Sequence, residues 1–192
     1  MPAESAGASG GSFLGKMKQD GALEVRPYRD ADGDAVVGIL GPVFRAGETY
    51  AVDRDLSDAA MLAYWTGGGR RVFVASDGQG QVLGSYYIVR NQAGGGSHVC
   101  NCGYVTAPDA QGRGIARRML AESLMQARAM GFAAMQFNFV LESNHRAVRT
   151  WLAAGFREIG RVPRGFRHPR LGDVDALILY RELTQEKERA DE

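Results

Sequence analysis

The stretch that most constrains this chain is Gln111-Gly112-Arg113-Gly114-Ile115-Ala116. It closely follows a strand-like run, residues 99–106, and opens a helix-like run over residues 115–130. Glycine lets the backbone turn sharply and approach a ligand, because no Cβ stands in the way. A helix that starts at such a turn leaves its first N–H groups without intrahelical partners, all pointing one way. Those donors, with the positive end of the helix dipole, form a seat for phosphate. Arg113, Arg117 and Arg118 add mobile positive charge around it. A strand, a glycine turn and a basic first helical turn together read as a pyrophosphate cradle.

Three kinds of phosphate loop compete for this stretch. A P-loop needs Gly-Lys-Ser/Thr to put a lysine on the phosphates and a hydroxyl on magnesium, and Arg113-Gly114-Ile115 supplies neither. The dinucleotide fingerprint needs Gly-x-Gly-x-x-Gly, but Arg117 stands where its third glycine belongs. The third pattern, Gln/Arg-x-x-Gly-x-Gly/Ala, is met at each fixed position by Gln111, Gly114 and Ala116. The plain alternative is a glycine turn into an ordinary amphipathic helix, so the context decides.

Along the chain, residues 1–20 are rich in Ala, Gly and Ser and read as disordered. Residues 23–26 alternate as a short strand. A helix over 30–44 follows, with Asp30 or Asp32 able to cap it, then a polar loop, then a second helix that Ser57 begins. Residues 71–75 and 82–89 are Val/Tyr/Ile-rich strands around Asp77-Gly78, a hairpin signal. Strands at 98–106 and 134–141 flank the cradle helix. A helix over 144–154 is ended by Gly155. Strands at 156–162 and 175–183 complete the pattern, and a charged tail occupies 185–192. Strand-helix-strand around the cradle implies one parallel pair in an otherwise antiparallel sheet. The expected fold is therefore a single-domain α/β one, a mixed, mostly antiparallel twisted sheet with helices on both faces.

Bulk properties narrow the function. At 192 residues, with 45 % apolar and 23 % charged residues, the chain suits one soluble globular domain. A net charge of +1 gives no reason to expect nucleic acid or an anionic membrane as partner. No apolar run approaches the roughly 18 residues of a membrane helix, and the start lacks the pattern of a signal peptide; a cytoplasmic location is expected. Cys100 and Cys102 share one face of a strand, a poor layout for a mutual disulfide or a metal pair, and read as small buried thiols. The histidines are scattered without metal-ligand spacing, and no metal is expected.

Element order and cradle resemble the GCN5-related N-acetyltransferase (GNAT) superfamily, which binds acetyl-CoA through Gln/Arg-x-x-Gly-x-Gly/Ala. Asn144-x-x-Ala147 leading to Gly155-Phe156 resembles that family's Asn-x-x-Ala…Gly-Phe helix. A narrower likeness runs through Ser97-His98-Val99-Cys100-Asn101, residues 137–144, Gly160-Arg161-Val162 and Asp175-Ala176. These resemble the fungal N-acetyltransferases of proline analogues such as azetidine-2-carboxylate.

The resemblance makes residues 21–184 the N-acetyltransferase domain and acetyl-CoA its cosubstrate. It implies that Gln111, Gly112, Arg113, Gly114, Ile115 and Ala116 hold the pyrophosphate. Pantetheine would pair with the backbone of Tyr104, Val105 and Thr106, one of whose N–H groups would face the developing oxyanion. Asn144 would sit by the thioester, and Asn101 and Asn138 would bind substrate, with Asn138 and Asn144 nearest the chemistry. The implied reaction is direct attack by a small-molecule amine, an amino acid or proline analogue carrying a carboxylate. Acetylation of a protein or peptide N-terminus, and a non-catalytic acyl-CoA sensor, remain open as rivals. Dimers are common in the superfamily, which leaves a homodimer open.

Asparagine is disfavoured in strands, yet Asn101 and Asn138 sit amid Val, Cys and Phe. A buried amide without partners costs about 1–3 kcal/mol, so each either faces a substrate carboxylate or bonds neighbouring backbone. Where many superfamily members carry an acid tyrosine, this chain has Trp151, which cannot protonate a leaving thiolate near neutral pH; core packing is its plainer role. Glu142, Glu48, Tyr50 and His145 are candidate bases and none is singled out. Arg170, between the last two strands, is either a solvated loop residue or a substrate contact.

Overall fold

The computed structural model describes residues 23–183; the segment read as disordered, 1–20, and the tail, 185–192, lie outside them. Its strands are β1 (Glu24–Pro27), β2 (Arg71–Ser76), β3 (Val82–Arg90), β4 (Val99–Thr106), β5 (Ala134–Leu141), β6 (Arg157–His168) and β7 (Gly172–Glu182). They form one sheet in the order β1-β2-β3-β4-β5-β7-β6. Neighbours run antiparallel except β4 and β5, the pair that brackets the cradle. That parallel ladder is short: only Val99–Ala134 and Cys100–Met135 are in register, and the two strands part beyond them.

The helices are α1 (Gly33–Ala46), α2 (Asp58–Thr66), α3 (Ile115–Ala129) and α4 (His145–Ala153). Successive residues of a strand point to opposite faces, so β3 tells which helix lies where. A Cβ on Gly84 would come 3.0 Å from Met119 Cε of α3. The next residue, Ser85, accepts at Oγ from the Trp65 indole of α2 at 2.9 Å. Phe44 of α1 packs near Trp65, at 6.5 Å between ring centroids. Tyr104 of β4 meets Ser123 of α3 through its hydroxyl at 2.7 Å and Trp151 of α4 at 4.9 Å between rings. Thus α1 and α2 cover one face, α3 and α4 the other. β3 is buried on both, which is why 82–89 reads as a nearly unbroken apolar run.

Local signals explain the ends. Ser57 accepts from Ala60 N–H and starts α2; Gly47, at φ +64°, closes α1. Asp32 precedes α1 but does not cap it. Its buried carboxylate instead accepts two bonds from the Arg26 guanidinium, both 2.8 Å, and one from Arg29 N–H. The last two strands are longer than the sequence pattern suggests and form one long hairpin closed by Pro169, Arg170 and Leu171. His168, at the end of β6, is 6 % exposed, and its Nδ1 accepts from the N–H groups of Arg170 and Leu171. Cys100 and Cys102 are free and buried.

Candidate active site

The glycine turn has the backbone the sequence calls for. Gly112 and Gly114 stand at φ +85° and +80°, a region that disfavours any side chain. Gly114 precedes α3 without a side-chain cap, and the first turn holds no acid. The first bond of the helix runs from Arg118 N–H to Gly114 O, 3.0 Å, so the N–H groups of Ile115, Ala116 and Arg117 lie ahead of the ladder. A Cβ on Gly114 would meet nothing within 4 Å, and one on Gly112 only Arg146 Nη2 at 3.9 Å. The space over the turn is open and ringed by donors, as a phosphate group requires.

From this turn a cleft of about 1100 Å³ runs through the gap between β4 and β5 to the segment joining α1 and α2. Gln111, Gly112, Gly114, Ile115 and Ala116 line it; Arg113 is exposed and does not. The arginines that do line it are Arg117, Arg146, Arg149 and Arg181. Arg146 and Arg149 are not singled out by the sequence, although their i, i+3 spacing after Asn144 places them on one face of α4. Among the described residues, no Asp, Glu, His or Lys lines the cleft.

The backbone of β4 alternates across this gap. Val99 O and Ala107 N–H bond toward β3, whereas His98 O accepts from Ala133 N–H on the other side. By the two-residue period, Val105 spends its backbone groups on β3, and Cys102, Tyr104 and Thr106 turn theirs into the gap. Of the three residues expected to pair with pantetheine, Tyr104 and Thr106 therefore present backbone and Val105 does not. The Tyr104 carbonyl already accepts from the Tyr50 hydroxyl at 2.7 Å.

Asn101 and Asn138 both line the cleft, but neither is a buried amide: Asn101 is half-buried and Asn138 exposed. Asn138 sits in a bulge, because Phe137 pairs with Leu179 and Val140 with Leu177, leaving Asn138 and Phe139 against one residue of β7. Bulges re-aim side chains and recur beside functional sites. The Asn138 amide donates to Asn91 Oδ1 at 2.6 Å and accepts from Gln136 Nε2 at 2.9 Å. Its partners are thus side chains rather than backbone, and one N–H remains unspent. Asn91 and Gln136 carry no signal in the sequence.

Asn144 is the N-cap of α4: its Oδ1 accepts from Ala147 N–H at 3.2 Å, which accounts for the Asn-x-x-Ala spacing. The amide nitrogen is left for the cleft that Asn144 lines. Trp151, 8 % exposed, packs between Tyr104 and Phe137, at 4.9 and 5.2 Å between rings. Every candidate base is engaged or remote. Glu142 pairs with Arg161 at 2.9 Å, and Glu48 pairs with Arg170 at 2.8 Å, which brings together two candidates from distant segments. His145 is exposed. Burial pushes the Tyr50 phenol well above its usual value, so it stays a donor.

A family model for the acetyltransferase (GNAT) family matches residues 37–156, most of the chain. The chain belongs to the acetyltransferase (GNAT) family. A GCN5-related N-acetyltransferase from Kribbella flavida is 40 % identical, with a TM-score of 0.80 over 84 % of this chain and 98 % of that one. The N-acetyltransferase aca1 of Schizosaccharomyces pombe is 33 % identical over 103 residues, 53 % of this chain and 49 % of its own length. That match to a fungal N-acetyltransferase accords with the narrower likeness, and the chain spans about half the length of that curated relative. A GNAT superfamily phosphinothricin acetyltransferase from Sinorhizobium meliloti in complex with AcCoA shares the fold, with a TM-score of 0.73 at 22 % identity over 83 % of this chain and 88 % of that one.

Proposed function

We propose that this protein is an acetyl-CoA-dependent N-acetyltransferase whose acceptor is a small amine carrying a carboxylate, an amino acid or proline analogue. The observation that carries the acceptor class is the make-up of the cleft: arginines and amides line it, and among the described residues no carboxylate does. A cationic acceptor, such as a polyamine, would enter without a counter-charge, at high desolvation cost.

Bound acetyl-CoA supplies an activated acetyl thioester. The uncapped turn at Gly114 and the arginines Arg117, Arg146 and Arg149 would seat its phosphates. The cleft-facing backbone of Tyr104 and Thr106 would align pantetheine as an added strand, and Tyr50 fixes one end of that edge through the Tyr104 carbonyl. Holding the reacting atoms about 3–3.5 Å apart supplies much of the rate. One of the free β4 N–H groups would face the oxygen that gains charge. Asn101 and the remaining N–H of Asn138 would hold the acceptor carboxylate, and the Asn144 amide would face the leaving sulfur. With no base in the cleft, the amine enters neutral and its proton leaves through water.

Release of CoA thiol from acetyl-CoA with a panel of amino acids, including proline and azetidine-2-carboxylate, tests this reading. Turnover of carboxylate-bearing amines supports it, with cyclic imino acids favoured if the narrow likeness holds. Asn138→Ala should raise the acceptor KM and leave acetyl-CoA affinity unchanged. Turnover confined to peptides or to uncharged amines would replace the acceptor, and tight acetyl-CoA binding without turnover of any amine would make the protein a sensor.

A further inference from the structure

At the end of the cleft away from the cradle, the wall is built from Thr49, Tyr50, Tyr64, Tyr87, Asn101 and Gly103. Residues paired across an antiparallel ladder share a face, and Tyr87 pairs with Gly103 as Val89 does with Asn101. Tyr87, Gly103 and Asn101 therefore lie on the side covered by α1 and α2. Tyr87 reaches over β4 because residue 103 is glycine: a Cβ there would come 2.5 Å from Tyr87 Cε1 and 2.8 Å from its hydroxyl. The phenol is thereby laid across the strand at the mouth of the β4–β5 gap, one strand repeat from Asn101.

Behind it stands Arg70. Its guanidinium lies 5.0 Å from the Tyr64 ring centre and 4.9 Å from that of Tyr87. Its Nη1 donates to the Gly67 carbonyl at 3.0 Å, but its Nε is buried without a hydrogen-bond partner, and among the described residues no carboxylate pairs with it. Stacking on two tyrosines offsets part of the desolvation of this cation, and the positive field remains. Thr49 Oγ1, on the same wall, is also buried without a partner. Burial pushes the Tyr87 phenol up to about 12, so at neutral pH it is a hydrogen-bond donor. A donor held over the strand and an orphan hydroxyl line the wall where an acceptor would meet Asn101, and a cation without a carboxylate partner stands behind that donor. An anion satisfies this arrangement better than water does.

We propose that Tyr87, laid across Gly103 and braced by Arg70, determines acceptor specificity by donating its hydroxyl to the acceptor carboxylate beside Asn101. This rests on the carboxylate-bearing acceptor of the preceding subsection. Arg70 is a positioning residue, acting through the tyrosine it stacks on. Sequence alone gives no hint of it, since Arg70 ends a run of glycines and is 33 positions from Gly103.

The test compares acid and carboxamide forms of the same amines, proline with prolinamide and azetidine-2-carboxylate with its amide, in wild type and Tyr87→Phe. The variant keeps the ring and removes the donor. The wild type should favour the acids, and Tyr87→Phe should lower kcat/KM for the acids by roughly 10- to 100-fold, mainly through KM, as for a lost hydrogen bond to a charged group. The amides and the acetyl-CoA Kd should not move. A Tyr87→Phe enzyme that keeps the wild-type acid preference overturns the role of Tyr87. A wild type that favours amides, or uses neither form, overturns the acceptor class itself, and this inference with it. Arg70→Met adds a second readout: it should lower kcat/KM for the acids in the wild-type background and change little in Tyr87→Phe. An equal loss in both backgrounds refutes the bracing.

Discussion

Replacing Gly114 with glutamate probes the cradle at little risk to the fold. The residue stands at φ +80°, where a side chain costs about 1–2 kcal/mol in the left-handed region. Because an added Cβ would touch nothing within 4 Å, no packing is disturbed. At about 2–4 °C per kcal/mol for a domain of this size, Tm should fall by roughly 2–8 °C. Ligand binding should suffer far more. A carboxylate about 4 Å from one phosphate charge, at an effective dielectric near 20, repels it by about 4 kcal/mol. With about 1.4 kcal/mol per tenfold, acetyl-CoA affinity should drop roughly a thousandfold. The other end of α3 offers a matched control, since Gly131 stands at φ +82° and is equally open. Gly131→Glu carries the same backbone strain, plus about 0.3–1 kcal/mol from a carboxylate at the negative end of the helix, and leaves the cradle intact. Calorimetric titration of acetyl-CoA into both variants, with thermal unfolding of each, separates binding from stability. Wild-type affinity in Gly114→Glu, or an equal loss in Gly131→Glu, would refute the cradle.

Trp151→Phe should cost about 1–3 kcal/mol of stability from the smaller ring and leave kcat within about threefold; a large kcat loss with intact acetyl-CoA binding would bring the indole into the chemistry. The Arg26 guanidinium, and then the Arg29 N–H, hold the Asp32 carboxyl below its usual range against the opposing effect of burial. A depressed folded-state value means stability present above about pH 3.9 and lost as the pH falls below it. Asp32→Asn should therefore cost about 2–3 kcal/mol at neutral pH, less than a fully buried pair because Arg26 stays partly solvated. That difference should shrink at about pH 3; urea unfolding at both pH values checks it, and an equal gap would count against the pair. Because no Asp, Glu, His or Lys lines the cleft among the described residues, the rising limb of kcat/KM against pH should follow the acceptor's own amine. Two acceptors of different amine pKa should give limbs displaced by that difference, and a shared limb would reveal an enzyme base.

What the sequence shows well is whatever a local rule governs. The glycines at 112 and 114, the Ser57 cap and the two-faced β3 each follow from one short pattern, and the parallel pair follows from strand-helix-strand order. The hairpin ends were harder to read. β6 is an edge strand with almost no buried face, so it lacks the two-residue alternation that marks a strand. It also carries Pro163 and Arg164 at φ +52° inside a bulge and reads as loop. Asn138 shows the limit for the site. Its place in the chain suggested a buried amide, but the bulge turns it outward to side-chain partners 47 and 2 residues away. Arg70 and the pairing of Glu48 with Arg170 escape for the same reason: the partners are set by the fold and not by spacing.

The two-rung β4–β5 ladder has a further consequence. The sheet consists of two plates, β1 to β4 and β5 to β7, with their backbones fastened to each other at one end only. A pantetheine arm bonded along the free edge of β4 would act as a wedge that is also a splint, filling the split and stiffening the plates around it. Occupancy and rigidity then rise together by mass action. The protein would sense the local supply of its acetyl donor as a change in its own stiffness, before any amine arrives.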